Sequence, residues 1–399
     1  MNYRHLFEKP FFLSSFSLLI LCSSACSQNK SSAPVIRFTK QMIAAESFES
    51  VNVFDVNNDG KPDIVSGSFW YEGPDFFKAH YIGPVKRYNE YWDDFSTIPL
   101  DVNGDGRMDF ITGSWFSNSL HWKENPGNNT GIWTDHLIDS TGNVEAAQGW
   151  DVDNDGTIEI VPNNPNFPLK FYKLEKDAGG KASGKFAKTE VAPKQGHGLG
   201  FGDINADGRG DFIISDGWLE APANPLKETW VLHKEFNLGQ ASVPVLVEDV
   251  NGDGKNDIIS GQGHDYGLDW YEQTMDKSGK RNWVKHAIDP NNSMFHTMQW
   301  VDIDGDGKPE LITGKRYRAH DTDPGVHDPA GLYYYKWNGE SFTKQIISYG
   351  PLGEGKGTGL YFAVADLRGT GRKDIVVAGK DGLYVFYNDG AAAVSNKGK

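Results

Sequence analysis

The sequence predicts an all-β protein, a seven-bladed β-propeller with four-stranded blades whose last blade is closed by the N-terminal strand. Three observations predict it. An acidic phrase recurs seven times, every copy sits in the same succession of short strand patterns, and the chain opens with a strand to spare and ends one strand short.

The phrase reads DVNNDGKPDI from Asp55, DVNGDGRMDF from Asp101, DVDNDGTIEI from Asp151 and DINADGRGDF from Asp203. It continues as DVNGDGKNDI from Asp249, DIDGDGKPEL from Asp302 and DLRGTGRKDI from Asp366. Successive copies lie 46, 50, 52, 46, 53 and 64 residues apart. A period of this length marks a solenoid or propeller, because one such unit cannot bury its apolar face alone. Before the phrase comes an apolar strand, as in VNVF (51–54) or MQWV (298–301). A second follows at once, as in DIVSG or ELITG, and a third is aromatic, as in WYEGP or LDWYEQ. A fourth is read at 133–138 and echoed at 283–288 and 342–347. Four short strands per unit make a propeller blade. The seventh unit stops near Asn388 after three strands, and 37–43 precedes the first unit without a partner. Pairing the two closes the ring and removes open sheet edges.

The domain order expected is a leader at 1–26, a tether at 27–35, the propeller at 36–388 and a disordered tail at 389–399. Arg4 and Lys9 precede a short apolar run from Phe11 to Leu21, too short for a permanent membrane span. Ser23-Ser24-Ala25-Cys26 and a polar stretch follow. Small residues before a cysteine resemble a bacterial lipoprotein signal, with Ser23 where that pattern has leucine. The resemblance implies export, lipidation at Cys26 and residence in the outer membrane or periplasm. The only cysteines are Cys22 and Cys26, so no disulfide braces the propeller.

The pattern D-x-[DN]-x-D-G-x-x-[DE] places oxygen ligands at alternate positions around a glycine turn, as in the first half of an EF-hand loop. The expected ligands of the first three loops are Asp55, Asn57, Asp59 and Asp63; Asp101, Asn103, Asp105 and Asp109; and Asp151, Asp153, Asp155 and Glu159. Those of the next three are Asp203, Asn205, Asp207 and Asp211; Asp249, Asn251, Asp253 and Asp257; and Asp302, Asp304, Asp306 and Glu310. Crowded hard carboxylates suit calcium, which accepts irregular shells of six to eight oxygens. Six structural calcium ions would take the formal charge from −15 to −3. The seventh loop has Arg368 and Thr370 at ligand positions and is expected to hold none. The acidity is thus ligation, and with no basic patch the sequence gives no sign of nucleic-acid binding.

The FG-GAP, or VCBS, repeat family is what residues 36–388 resemble, and its propellers include the integrin α head. In such blades the end opposite the loops collects residues entering strand one and leaving strand two. That mouth gathers Glu49, Glu145, His197, His264, His296, Lys315, Arg316, Tyr317, His320 and Lys380, with Trp115, Asp216 and Trp218 as further candidates. Four histidines on one face could serve as acid or base near neutral pH, or as ligands of a transition metal such as zinc. His80, His136, His233 and His286 fall instead at equivalent fourth-strand positions and read as structural. Two insertions, 316–330 and 349–359, lie on the mouth side, where long loops on a rigid scaffold carry function.

The phrases GHGLGFGD, ISGQGHDYGLDWYE, MFHTMQWVDIDGDG and GKRYRAHD resemble the propeller part of aldos-2-ulose dehydratase-like proteins. That family dehydrates and isomerises keto-sugars at a metal-assisted propeller site with attached cupin domains; no cupin pattern follows residue 388, which confines the expectation to the dehydratase half. The resemblance implies metal or base roles for His197, His264, His296 and His320, and enolate stabilisation by Lys315 and Arg316. The sequence therefore points to a carbon–oxygen lyase acting on carbohydrate, with Trp115, Glu145, Asp216, Trp218 and Tyr317 holding substrate. The alternative is a non-catalytic glycan- or protein-binding, adhesive propeller in which Trp115 and Trp218 stack on sugar faces.

Overall fold

A computed structural model describes residues 35–127 and 131–391. The proposed leader with Cys26, and residues 392–399, lie outside the described residues. Seven four-stranded antiparallel sheets form a β-propeller, and among the described residues there is no helix. Blade 1 comprises Asn52–Phe54, Asp63–Ser66, Phe69–Glu72 and Lys78–Tyr81. Blade 2 comprises Ile98–Leu100, Asp109–Ser114, Ser119–Glu124 and Thr134–Asp139. Blade 3 has Ala146–Trp150, Glu159–Asn163, Leu169–Lys176 and Ala182–Ala192, and blade 4 has Leu199–Gly202, Asp211–Ile214, Gly217–Glu220 and Val231–His233. Blade 5 has Leu246–Glu248, Asp257–Gly261, Tyr266–Met275 and Arg281–Ser293, and blade 6 has Met298–Val301, Glu310–Gly314, Ala330–Trp337 and Phe342–Gly350.

Blade 7 takes Phe362–Ala365, Asp374–Val377 and Leu383–Ala391 from the C-terminal end and Ile36–Ala44 from the N-terminal end. The pairing is antiparallel and runs from Ile36 opposite Ala391 to Ala44 opposite Leu383. The last strand therefore extends to Ala391, where the sequence suggested a patternless tail from 389, because Ile36 gives it a partner. Closure is also apolar: Ile36, Val51, Ile312, Phe362, Ile375 and Val385 belong to one cluster joining blades 6, 7 and 1.

Each second strand is buried along its length, as in Asp63–Ser66, Asp109–Ser114 and Glu310–Gly314. It lies between sister strands with a neighbouring blade on each face, so it reads as an unbroken apolar run rather than an alternation. Fourth strands alternate, as Ala182–Ala192 shows, because one face looks outward. Neighbouring first strands approach closely: a Cβ on Gly200 would lie 2.4 Å from the Val245 carbonyl oxygen, so only glycine fits there.

The acidic loops are built alike. The sixth residue of each is a glycine, from Gly60 to Gly371, with φ between 78° and 86°, a conformation that penalises a Cβ. The first aspartate accepts amide hydrogen bonds across the loop, as Asp55 does from Asp59 at 3.1 Å and Gly60 at 2.8 Å. The ninth residue is buried and ties the loop to the sheet. Asp63 accepts from Val56 N at 2.9 Å and Gly73 N at 2.7 Å.

Four blades repeat a second device on their outer strands. Trp70, Trp122, Trp218 and Trp270 stack on His80, His136, His233 and His286 with ring centroids 3.9 to 4.5 Å apart. Each of these histidines also places Nε2 2.7 to 3.0 Å from a third-strand glutamate: Glu72, Glu124, Glu220 or Glu272. Their positions agree with the structural role read from the repeat. Trp218 is a correction, because it is 2% exposed, held between His233 and the Arg281 guanidinium, and is not a sugar-facing residue of the mouth.

Candidate functional site

Position six before the first loop aspartate enters the first strand of its blade at the channel. In blades 1, 3, 4 and 6 it is Glu49, Glu145, His197 and His296. The exit of the second strand adds His264 from blade 5 and Arg316 from blade 6. The repeat thus carries side chains from distant parts of the chain to one centre.

There Glu145, His197, His264 and His296 bring one ligand atom each within 4.8 Å of one another. The Glu145 carboxylate stands 3.5 Å from His197 Nε2 and 3.3 Å from His296 Nε2. His197 Nε2 and His264 Nε2 face each other at 3.1 Å. The opposite ring nitrogens are already engaged: His197 Nδ1 lies 2.8 Å from the Ala241 carbonyl oxygen and His264 Nδ1 2.9 Å from Asp323. A carbonyl and a carboxylate only accept, so both Nδ1 atoms carry the proton in the neutral rings. Two lone pairs then meet across 3.1 Å, which requires a cation or an extra proton between them. An outer carbonyl and carboxylate that fix imidazole tautomers are the usual second layer of a metal centre.

Electrostatics favours neutral rings at His264 and His296. Burial, helped by His197, pushes His264 down to about 4. Burial and the Arg316 charge hold His296 well below its ordinary value. Burial works to raise Glu145, yet the neighbouring His197 and His296 rings and the charge of Arg316 keep it ionised well below the carboxylate range. Arg316 Nη1 is 3.3 Å from Glu145 and 3.1 Å from His296 Nε2, and its Nε is 3.4 Å from Glu49. Lys380 lies 4.0 Å from Glu49, over the Tyr91 ring, and burial lowers it to about 8.

Two insertions meet above this centre. A hairpin, Arg87–Tyr88 paired with Tyr91–Trp92, reaches the 316–330 loop. Tyr91 donates to Ala319 O at 2.7 Å, and Arg318 pairs with Glu90 at 2.7 Å. Tyr88 stacks on Phe116 at 4.6 Å. Neither the hairpin nor Asp323 has a signal in the repeat pattern; the length of the 316–330 insertion pointed toward Asp323, and nothing in the sequence pointed to the hairpin.

His320 is exposed, stacks on His264 at 4.6 Å and shares Asp323 with it. Lys315 is a correction. Its side chain is buried, its ammonium bonds Ser293 Oγ at 3.1 Å and the Gly325 carbonyl, and it anchors the 316–330 loop instead of facing the cluster. Asp216 is exposed in the turn before the third strand of blade 4, 3.6 Å from Lys234, and is not brought to the centre. Trp115 and Tyr317 are half-buried in turns after their second strands.

Residues 249–313 match the family model described as an FG-GAP-like repeat. This chain carries an FG-GAP-like repeat. The match spans the acidic loop of blade 5 through the second strand of blade 6, and so includes His264 and His296. Solved structures with a similar fold include rhamnogalacturonan lyase YesW, at 14% identity and a TM-score of 0.47 over 88% of this chain and 72% of that one. Another is BBS1N in its complex with ARL6DN, at 10% identity and a TM-score of 0.49 over 92% of this chain and 99% of that one. No curated protein sequence matches the chain.

Proposed function

We propose that this FG-GAP-like propeller is a carbohydrate lyase of the dehydratase type, working at a metal centre made by Glu145, His197, His264 and His296. The observation that carries the reading is the facing pair of Nε2 atoms, 3.1 Å apart with both Nδ1 atoms engaged elsewhere. Three imidazole nitrogens and a carboxylate suit zinc, which when bound would supply Lewis acidity toward a sugar carbonyl. The chain's own residues supply the rest. Arg316 offers a buried positive charge beside the centre for the enolate that forms. Lys380, neutral above about pH 8, is placed beside Glu49 to take the proton next to the carbonyl. The carbon–hydrogen bond breaks, a carbon–carbon double bond forms, and the β-hydroxyl leaves with a proton as water, giving an enone.

Further expectations go with this reading: export with a lipid anchor at Cys26, and structural calcium in the acidic loops. A non-catalytic propeller is the second reading. It is favoured by burial, since His296 is 1% and His264 9% exposed at the side chain, and four protein ligands suit a closed structural metal site. Metal analysis of the purified chain, with an ultraviolet screen for enone absorbance on keto-sugars and polyuronates, separates the two. Zinc and new absorbance, both lost in His197→Ala, support the lyase. Zinc without turnover on any of them, and a melting temperature that falls when zinc is removed, selects the closed site. Absence of a transition metal overturns the metal-dependent lyase and the closed metal site alike.

A further inference from the structure

The acidic loops fall into two classes, and the difference extends well beyond the loops. In blades 1, 2, 4 and 5 the third loop residue is asparagine and the ninth aspartate. The third-strand residue beside that ninth position is Glu72, Glu124, Glu220 or Glu272. Each glutamate is held by its fourth-strand histidine, and Glu124, Glu220 and Glu272 also receive the loop asparagine at 3.2 to 3.4 Å. Blades 3 and 6 change every one of these positions together. Their loops have aspartate third and glutamate ninth, the third strand offers Lys173 or Lys336, and Thr189 or Gln345 replaces the histidine.

The geometry explains the joint change. Lys173 Nζ lies 2.8 Å from Asp153, 2.7 Å from Asp155 and 2.8 Å from Glu159. Lys336 reaches Asp304, Asp306 at 2.7 Å and Glu310 at 3.3 Å. Each ammonium thus has three carboxylates for its three protons. The ninth residue accounts for the swap. Asp63 uses its second oxygen on the amide just past the third strand, Gly73 N, whereas the longer Glu159 turns that oxygen to Lys173. Loop cations of the other class do less: Lys61 and Lys255 each bond only the fifth-position aspartate, Asp59 or Asp253.

We propose that Lys173 and Lys336 are built-in cations of the blade 3 and blade 6 loops, which therefore take no divalent ion. Oxygens three, five and nine, which calcium would need, are the ones each ammonium binds. Arg368 acts similarly in blade 7, bonding Asp374 at 2.9 Å. The proposal refines the calcium expectation for the propeller, lowering it from six ions to four, but does not depend on it.

The test uses the full chain with Lys173→Met, Lys336→Met and, as control, Lys61→Met. In chelator the first two should melt below the wild type, because a cluster of carboxylates loses its cation, while Lys61→Met melts with the wild type. Equal melting of all four proteins overturns the proposal. Counting calcium per chain by atomic emission should give about four ions in the wild type and one more in each of the first two variants. Six in the wild type overturns the proposal. None in the wild type refutes calcium in the other loops and leaves the lysines to be judged on the melting comparison.

Discussion

Trp218 and Asp216, two residues apart, show how far a position in a repeat can differ from a position in space. Trp218 is fully enclosed and stacked on His233, so Trp218→Ala should cost about 3–5 kcal/mol. Asp216 is 52% exposed at its side chain, and Asp216→Ala should stay within about 0.5 kcal/mol. Denaturant unfolding of both variants checks the ordering. At Lys380 the relevant variable is pH. Burial lowers its folded pKa to about 8 from 10.5. Between those values the unfolded chain binds a proton that the native state does not, so this residue's contribution to stability rises with pH. Wild type should gain on Lys380→Met when melts are run from pH 8 to pH 10, and parallel curves would refute the buried lysine. Repeat alignment pointed to one face for His197, His264, His296 and Arg316, whose side chains lie together there, because it fixes where a Cα falls. It misassigned Lys315, since a long side chain can turn back under its own loop.

Among elements, the N-terminal strand carries the clearest consequence. Ile36–Ala44 is the outer strand of blade 7 and hydrogen-bonds along Leu383–Ala391. Removing 36–44 exposes that strand's edge, uncovers the apolar cluster around Phe362 and Val385, and separates the two ends of the ring. The shortened chain should be poorly soluble or melt far below the intact one, whereas removing 392–399 should leave melting unchanged. Soluble, normally melting protein after the first deletion would refute ring closure by this strand. The strands themselves were legible because each repeats its own burial pattern. The hairpin at 87–92 was not, because it belongs to one blade only and its stability comes from Ala319 and Arg318, more than two hundred residues away.

At the scale of the whole molecule, the sequence by itself determined the ring: seven phrases, four strands each, and the exchange of a terminal strand. Periodicity suffices for this, because every blade solves the same burial problem with the same residue pattern. It also determined which face gathers histidines. Only the tertiary structure decided which of those side chains meet. Glu145 and His296 are 3.3 Å apart at the centre though 151 residues apart in the chain, and that distance depends on seven blades closing together. It alone likewise showed that lysines from third strands enter two acidic loops. A motif reports the ligands it contains, whereas the cation that satisfies them comes from a neighbouring strand whose side-chain direction is set by packing.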